Sequence, residues 1–347
     1  AIEKGNEYLK SKQNPEGYWA QPSYPALTAL AVTAYMRDPA NQGKPVPEYI
    51  RKGYDFILKS QKEDGSIFNR GMSSYNTAVC MMALLAANKE EYAPAILKGR
   101  AYLIKQQNHF APDNPYNGGI GYGDKQAPPI ADLSNTSLAL EAIYYSQKLA
   151  KDGKYGEQPD LDWNAATEFI NRCQQNPAVN KEPWVSNDKS QLGGFVYRPG
   201  VSSARDKKSA AFDKAEPPKA YGSMTYAGMQ SLIYANVDKN DPRVKLALKW
   251  LENSYSLDEN PGMGVQGLYY YYQAMSKALS AMGIDTLTLE NGRKVDWRDE
   301  LANKLISIQK SDGSWVNTNN RWWEADPVLV TSYCVLALEQ LYHSIPR

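Results

Sequence analysis

The feature that most narrows what this chain can fold into is internal repetition, since a recurring unit fixes the architecture before any single residue is interpreted. Lys4-Gly5, Leu9, Gln13, Gly17 and Trp19 return in order as Lys52-Gly53, Phe56, Gln61 and Gly65, and again as Lys98-Gly99, Leu103, Gln107 and Gly119. Leu305, Gln309, Gly313 and Trp315 repeat the pattern near the C-terminus without the leading Lys-Gly. A weaker copy is Phe169, Gln174 and Gly194, and a degenerate one runs from Trp250-Leu251 to Gly262 and Gly264 without the Gln. An apolar stretch with small residues and Leu at spacings of three and four follows each glycine, as a buried helix requires. The unit is therefore helix, glycine-containing turn, helix, written six times.

No stretch alternates like a strand over a useful length. Two long gaps, 108–131 and 176–222, fall in repeats three and four. The second is rich in Lys, Ser, Pro and Asp. It reads as an excursion from a single domain spanning 1–347, because the repeat scheme resumes beyond it. Helical hairpins stack as an open solenoid or close into a ring, and open solenoids carry polar capping ends. Here the first and last inner helices (Ala26–Tyr35 and Val328–Leu338) are both strongly apolar, which favours closure. The expected fold is all-α, an (α/α)6 toroid of six hairpins with Gly-x-Trp-type turns. The inner helices are expected to point their first residues into a central cavity.

Lys-Gly, an aromatic or Leu, Gln, then Gly-x-Trp resembles the repeat of the squalene-hopene and oxidosqualene cyclases, a superfamily that includes the protein prenyltransferase β-subunits. The resemblance covers the whole chain and implies the (α/α)6 barrel. Cyclases of this kind carry two barrels, so this chain resembles a single-barrel relative. In that family the Gln and Trp of each repeat tie outer helices to turns. The hopene-type cyclases also carry Asp-x-Asp-Asp-Thr at the start of an inner helix, the middle Asp protonating the alkene. Asp132-Leu133-Ser134-Asn135-Thr136 aligns with it and keeps the first Asp, but Ser134 stands at the proton donor and Asn135 at the last Asp. A hydroxyl titrates far above neutrality and cannot protonate an unactivated double bond. Standard class II cyclisation is therefore not expected.

Two readings of this segment stay open: Asp132, Ser134 and Asn135 cap a helix, as Asn76-Thr77 would in repeat two, or they line a site. A prenyltransferase activity would need zinc on Asp, Cys and His, so that a thiol substrate becomes a thiolate. Neither His109 nor His343 lies where that requires, and Cys80 and Cys334 sit inside apolar runs as small buried thiols do. The Gly-Cys-Gly-Glu-Gln stretch of complement-like thioester toroids is absent. No metal and no cofactor are expected.

Asn317, Asn319, Asn320, Arg321, Trp322, Trp323, Glu324 and Asp326 form the densest polar-aromatic cluster, between the last turn and the last inner helix. Glu324 and Asp326 beside two tryptophans have the makings of an acid/base pair with a stacking platform, as in glycan-cleaving enzymes. Asp326-Pro327 is equally a helix start. Tyr269 to Tyr272 opens the fifth inner helix, where at most two rings can face inward. Tyr24, Tyr75, Tyr122, Tyr226 and Tyr333 stand near the other turns. With 25 Tyr and 8 Trp against 6 Phe, the chain favours aromatics that carry a polar atom, consistent with a wet aromatic cavity or with half-exposed rings. Such rings stabilise a cation through their faces, stack on sugar, or fill a core. Gly193–Gly200 places Arg198 near the rim. Arg198, Arg205, Lys207 and Lys208 either bind an anionic head group or, interleaved with Asp206, Asp213 and Glu216, form a solvated loop.

The net charge is +1, from 39 Lys and Arg against 38 Asp and Glu, so the basic excess of a nucleic-acid binder is missing. No apolar run is long enough to span a membrane. The sequence starts at Ala1-Ile2-Glu3, which fits export to a periplasm or beyond after signal-peptide removal, although a trimmed chain looks the same. Three leading possibilities emerge. The first is a non-standard toroid holding an apolar, isoprenoid-like ligand, with Asp132, Glu324 and Asp326 as candidate catalytic groups. Tyr75, Asn76, Asn135, Arg198, Tyr226, Tyr271, Trp322 and Trp323 are its candidate ligand contacts. The second is a secreted carbohydrate-active protein using Glu324 and Asp326. The third is a scaffold without a small ligand, whose protein partner the sequence does not name.

Overall fold

A computed structural model describes residues 1–123, 130–204 and 217–344. Among these, thirteen α-helices follow in order: α1 (Ile2–Ser11), α2 (Pro25–Arg37), α3 (Glu48–Lys59), α4 (Ser73–Ala86), α5 (Ala93–Lys105), α6 (Leu133–Tyr145), the four-residue α7 (Gln147–Ala150), α8 (Trp163–Cys173), α9 (Gly222–Tyr234), α10 (Pro242–Asn253), α11 (Leu268–Met282), α12 (Trp297–Ser307) and α13 (Pro327–Ser344). Helices α2, α4, α6, α9, α11 and α13 pack side by side in that order, and α13 returns to α2, closing the ring. The remaining long helices form an outer layer. The result is the expected (α/α)6 toroid.

Each repeat is locked by the same few atoms. The Gln13 carboxamide donates to its own turn at the Gly17 carbonyl (2.9 Å) and to the Tyr49 carbonyl in the next outer helix (2.7 Å). Gln61 joins Gly65 to Ala95, Gln107 joins Gly118 to Asp162, and Gln174 joins Gly193 to Arg243. Gln309 donates to Gly313 and, across the seam, to the Ala1 carbonyl at 3.0 Å. The turn glycine is left-handed because nothing larger fits. At Gly65 φ is +90°, and a Cβ there would lie 2.2 Å from the Lys98 carbonyl oxygen. In repeats three and four this role falls to Gly118 (φ 83°) and Gly193 (φ 90°), one residue before the glycines aligned in sequence, because a glycine pair occupies the turn.

A threonine one turn into the inner helix accepts the backbone N–H of the turn: Thr28 from Trp19, Thr77 from Ile67, Thr136 from Ile120, Thr225 from Phe195 and Thr331 from Trp315. Trp19 and Trp315 are buried, and each donates its indole N–H back to the outer helix. The glycine of Lys-Gly lets the following outer helix approach that indole. A Cβ on Gly53 would meet the Trp19 ring at 3.0 Å.

The inner helices start against the next repeat. Ala26 N–H donates to Asn76 Oδ1, Ser74 N–H to the Tyr122 carbonyl, Leu133 N–H to that of Tyr197, and Gly222 N–H to that of Pro261. Orphan donors at helix starts are thus satisfied by neighbours rather than by water. A hairpin of two three-residue strands, β1 (Thr286–Thr288) and β2 (Lys294–Asp296), precedes α12. Strands this short leave no readable alternation, which is why the sequence does not announce them. The described part of the excursion folds back on its own repeat through Asn180 to the Gln174 carbonyl and Gln175 to that of Pro218.

Candidate functional site

The inner helices surround a cavity of about 650 Å³. Its residues follow an inward stripe on each helix: Leu30, Thr33 and Arg37 on α2; Tyr75, Val79 and Met82 on α4; Leu138, Glu141 and Tyr145 on α6. On the other side stand Gln230 and Tyr234 of α9, Tyr270, Gln273 and Lys277 of α11, and Tyr333, Leu336 and Gln340 of α13. The mouth lies at the C-terminal ends of the inner helices, where the Tyr145 ring is 50% exposed and Arg37 donates to Gln340 Oε1 at 2.6 Å. The expectation that first-turn residues point into the cavity holds for Tyr75 and Tyr270, which form its inner end, while the opening lies at the opposite end of the helices. The first-turn end is a buried polar layer, including Ser74, Asn76, Asp132, Asn135, Asn260 and Glu324, in which Asn76, Asp132, Asn260 and Glu324 accept from helix-start N–H groups.

The cavity floor is aromatic. Tyr333 donates its hydroxyl to Tyr75, Ser134 donates to Tyr270, and the Tyr270 and Tyr333 rings lie 6.1 Å apart. Burial is the main cause that pushes the Tyr75 hydroxyl up to about 12, and it raises those of Tyr270 and Tyr333 further, so all three stay neutral. In the run from Tyr269 to Tyr272 one ring, Tyr270, faces the cavity. Tyr269, Tyr271 and Tyr272 send their hydroxyls to the carbonyls of Val316, Ser256 and Leu257. Tyr226 is fully buried with its ring 5.6 Å from Tyr271, so this pair packs between α9 and α11, behind the cavity wall.

One wall carries an ion pair that the sequence reading missed. Lys277 of α11 is paired with Glu141 of α6, which is buried, across 136 residues of chain. Beside it, Gln230 Nε2 donates to the Tyr234 hydroxyl at 2.7 Å, and Tyr234 donates to Tyr145. The separation in sequence hides Glu141 and Lys277. The available signal was a charged residue on each of two otherwise apolar inner helices.

The candidate acids lie at helix starts. Asp132 is the N-cap of α6, accepting from the Asn135 N–H and Nδ2 at 2.8 Å each, and from the Tyr197 hydroxyl. Burial pushes its carboxyl up to about 6, opposed by those hydrogen bonds and by the charge of Arg198. Asn135 Oδ1 and Arg198 Nε are buried without a partner, close to the same cap. Asn76 bridges α4 to the start of α2. Glu324 accepts from the N–H groups of Tyr269 and Tyr270 and from Asn317 Nδ2, so it caps α11 from the next repeat; burial raises its carboxyl. Asp326 caps its own helix, α13, accepting from Val328 N–H at 2.8 Å. The two carboxylates are thus engaged with different helices.

Trp322 and Trp323 lie in consecutive left-handed conformations (φ 54° and 65°) and are 46% and 39% exposed. The Arg321 guanidinium lies 4.7 Å from the Trp322 ring, and Trp323 packs on Tyr24 at 4.7 Å. Neither tryptophan lines the cavity. Arg205, Asp206, Lys207, Lys208, Asp213 and Glu216 lie outside the described residues. Cys80, Cys173 and Cys334 are free and buried, and burial raises all three thiols. Among the described residues no cluster of His, Cys, Asp and Glu is arranged to hold a metal, and no helix is long and apolar enough to cross a membrane.

No family profile and no curated protein matches the sequence. Solved structures do match in shape. The type II terpene cyclase MstE from Scytonema superposes with a TM-score of 0.57 at 11% identity, over 99% of this chain and 97% of that one. Candida albicans protein geranylgeranyltransferase-I, complexed with GGPP, gives 0.61 at 14% identity, over 99% and 91%. The GH76A α-1,6-mannanase from Salegentibacter sp. HEL1_6 gives 0.61 at 10% identity, over 99% and 98%. What these structures share with the chain, over its full length, is the fold: it has the α/α toroid of terpene cyclases and protein prenyltransferases, a fold that a mannanase also uses.

Proposed function

We propose that the chain binds a single isoprenoid-sized ligand, largely apolar, in the central cavity, and does not carry out protonation-initiated cyclisation of the hopene-cyclase type. The cavity carries this reading. At about 650 Å³ it lies within the range of small-molecule sites. Leu30, Val79, Met82, Leu138 and Leu336 give it a continuous aliphatic side. Its floor tyrosines offer neutral hydroxyls and ring faces suited to apolar or cationic groups. Glu141, the carboxylate in its lining, is engaged by Lys277. Asp132 is spent on the α6 cap, outside the cavity lining. Two of the fold neighbours were solved with prenyl compounds, MstE variants with geranylgeranyl dihydroxybenzoate and the geranylgeranyltransferase with GGPP, which supports the ligand class.

Mass spectrometry of organic extracts from purified protein, with calorimetric titration of geranylgeraniol, tests this. A bound or titratable isoprenoid is expected for the native chain. Met82→Trp, which fills the cavity, is expected to weaken binding at least tenfold while leaving the melting temperature within a few degrees. Equal binding by the two proteins would sink the assignment. A glycan-binding reading is favoured by the exposed indoles of Trp322 and Trp323 beside Arg321 and by the fold shared with the GH76A mannanase. It requires oligosaccharide binding that Trp323→Ala abolishes.

A further inference from the structure

We propose that the cavity ligand is facially amphipathic, a rigid fused-ring lipid carrying hydroxyl groups along one face. This rests on the reading of the cavity as a ligand site, and adds which chemistry that site selects. At mid-depth the lining has two opposed sides. Helices α2, α4 and α13 present Leu30, Val79, Met82 and Leu336 there, with Leu138 of α6 beside them; Thr33 turns its hydroxyl back to the Ala29 carbonyl, and Arg37 and Gln340 stand at the rim, bonded to each other. Helices α9 and α11 present Gln230, Gln273, Lys277 and Ser280, with Glu141 of α6 against Lys277.

The polar side is incompletely satisfied from within. Ser280 Oγ is buried and has no hydrogen-bond partner. The Gln273 carboxamide makes no hydrogen bond to another described residue, and Gln230 uses one amide proton, on Tyr234. Ser280 Oγ is already shielded from water, but a ligand apolar on every side would strand the two carboxamides as well, which is the costly outcome for a donor or acceptor. Lys277 is already engaged by Glu141, so the carboxamides beside it are left to be satisfied by neutral groups. Neutral hydroxyls answer both conditions, since they donate to a carboxamide oxygen and accept from its N–H. A flexible chain does not hold its hydroxyls to one side, whereas a fused-ring skeleton does and loses little conformational entropy on binding.

Calorimetry with two probes of one skeleton tests the proposal, below their micelle-forming concentrations. Cholate carries three hydroxyls on one face, and 5β-cholanate has the same ring system and carboxylate without them. Cholate is expected to bind at least tenfold more tightly. Gln273→Leu and Gln230→Leu, each checked by thermal melting, are expected to bring the ratio towards one by weakening cholate and leaving cholanate unchanged. If cholanate binds as well as cholate and Met82→Trp abolishes both, the facial assignment is overturned while the cavity remains a ligand site. If neither steroid binds but geranylgeraniol does, the ligand is a flexible chain and the proposal is again overturned. If no probe binds, the cavity reading fails with it.

Discussion

Glu339 shows how one residue can set a pH dependence. It is fully buried on α13, and neither carboxylate oxygen has a hydrogen-bond partner. Burial holds its carboxyl well above the usual carboxylate range, with Arg37 opposing only in part. The folded chain therefore keeps it protonated at a pH where the unfolded chain ionises it. Its stabilising balance is complete below the unfolded value of 4.5 and is lost as pH rises towards the folded one. Glu339→Leu is expected to stabilise the protein at pH 7 by about 1–3 kcal/mol, the cost of an unsatisfied buried polar group. The gain should be smaller at pH 4, where the unfolded chain is also largely protonated and only the unsatisfied carboxyl remains to be removed, which denaturant titration at the two pH values measures. Of such details little is legible beforehand. The caps at Asp132 and Asp326 could be read from Asp followed by a helical run, and the structure shows both. Glu324 was legible as important but not as the cap of another repeat's helix, because its partners, Tyr269 and Tyr270, lie about fifty residues upstream.

At the scale of elements, the repeat was legible because its chemistry is local. The spacing of Gln13 and Gly17 is fixed by a hydrogen bond within one turn, and the same bond recurs at Gln61 and Gly65. Gln61→Ala removes a donor shared by its own turn and by α5, and is expected to destabilise by about 1–3 kcal/mol. Gly65→Ala should be worse, since it adds a left-handed strain to a clash with the Lys98 carbonyl. Chemical denaturation of both variants checks the order. The direction in which inner helices face was harder to read. All six are apolar nearly all round, so periodicity does not distinguish the cavity stripe from the sides packed on neighbours. Tyr226 and Tyr271 were placed in the cavity for that reason, and the structure packs them behind its wall.

The whole molecule sums these effects. Asp132, Glu324 and Glu339 have raised carboxyls, and each loses stabilisation as pH climbs from its unfolded value towards its folded one. Asp64, Asp241 and Asp312 have lowered carboxyls, held down chiefly by hydrogen bonds, and lose stabilisation as pH falls below 3.8. Maximal stability is accordingly expected near pH 4–5, on the acid side of neutrality, and melting temperatures across pH 3–8 show it directly. Closure was readable from apolar ends, yet the seam itself rests on contacts between the two ends of the chain, such as Gln309 to Ala1 and Arg37 to Gln340.

The placement of the mouth has a kinetic corollary. The cavity's inner end is lined by Tyr75, Tyr270 and Tyr333, beside a buried polar layer at the helix starts, and its rim holds Tyr145, Arg37 and Gln340. A guest that enters at this rim meets the tyrosines with its leading end and leaves with that end last. Narrowing that rim should slow arrival and departure by similar factors, leaving residence time and affinity separately adjustable.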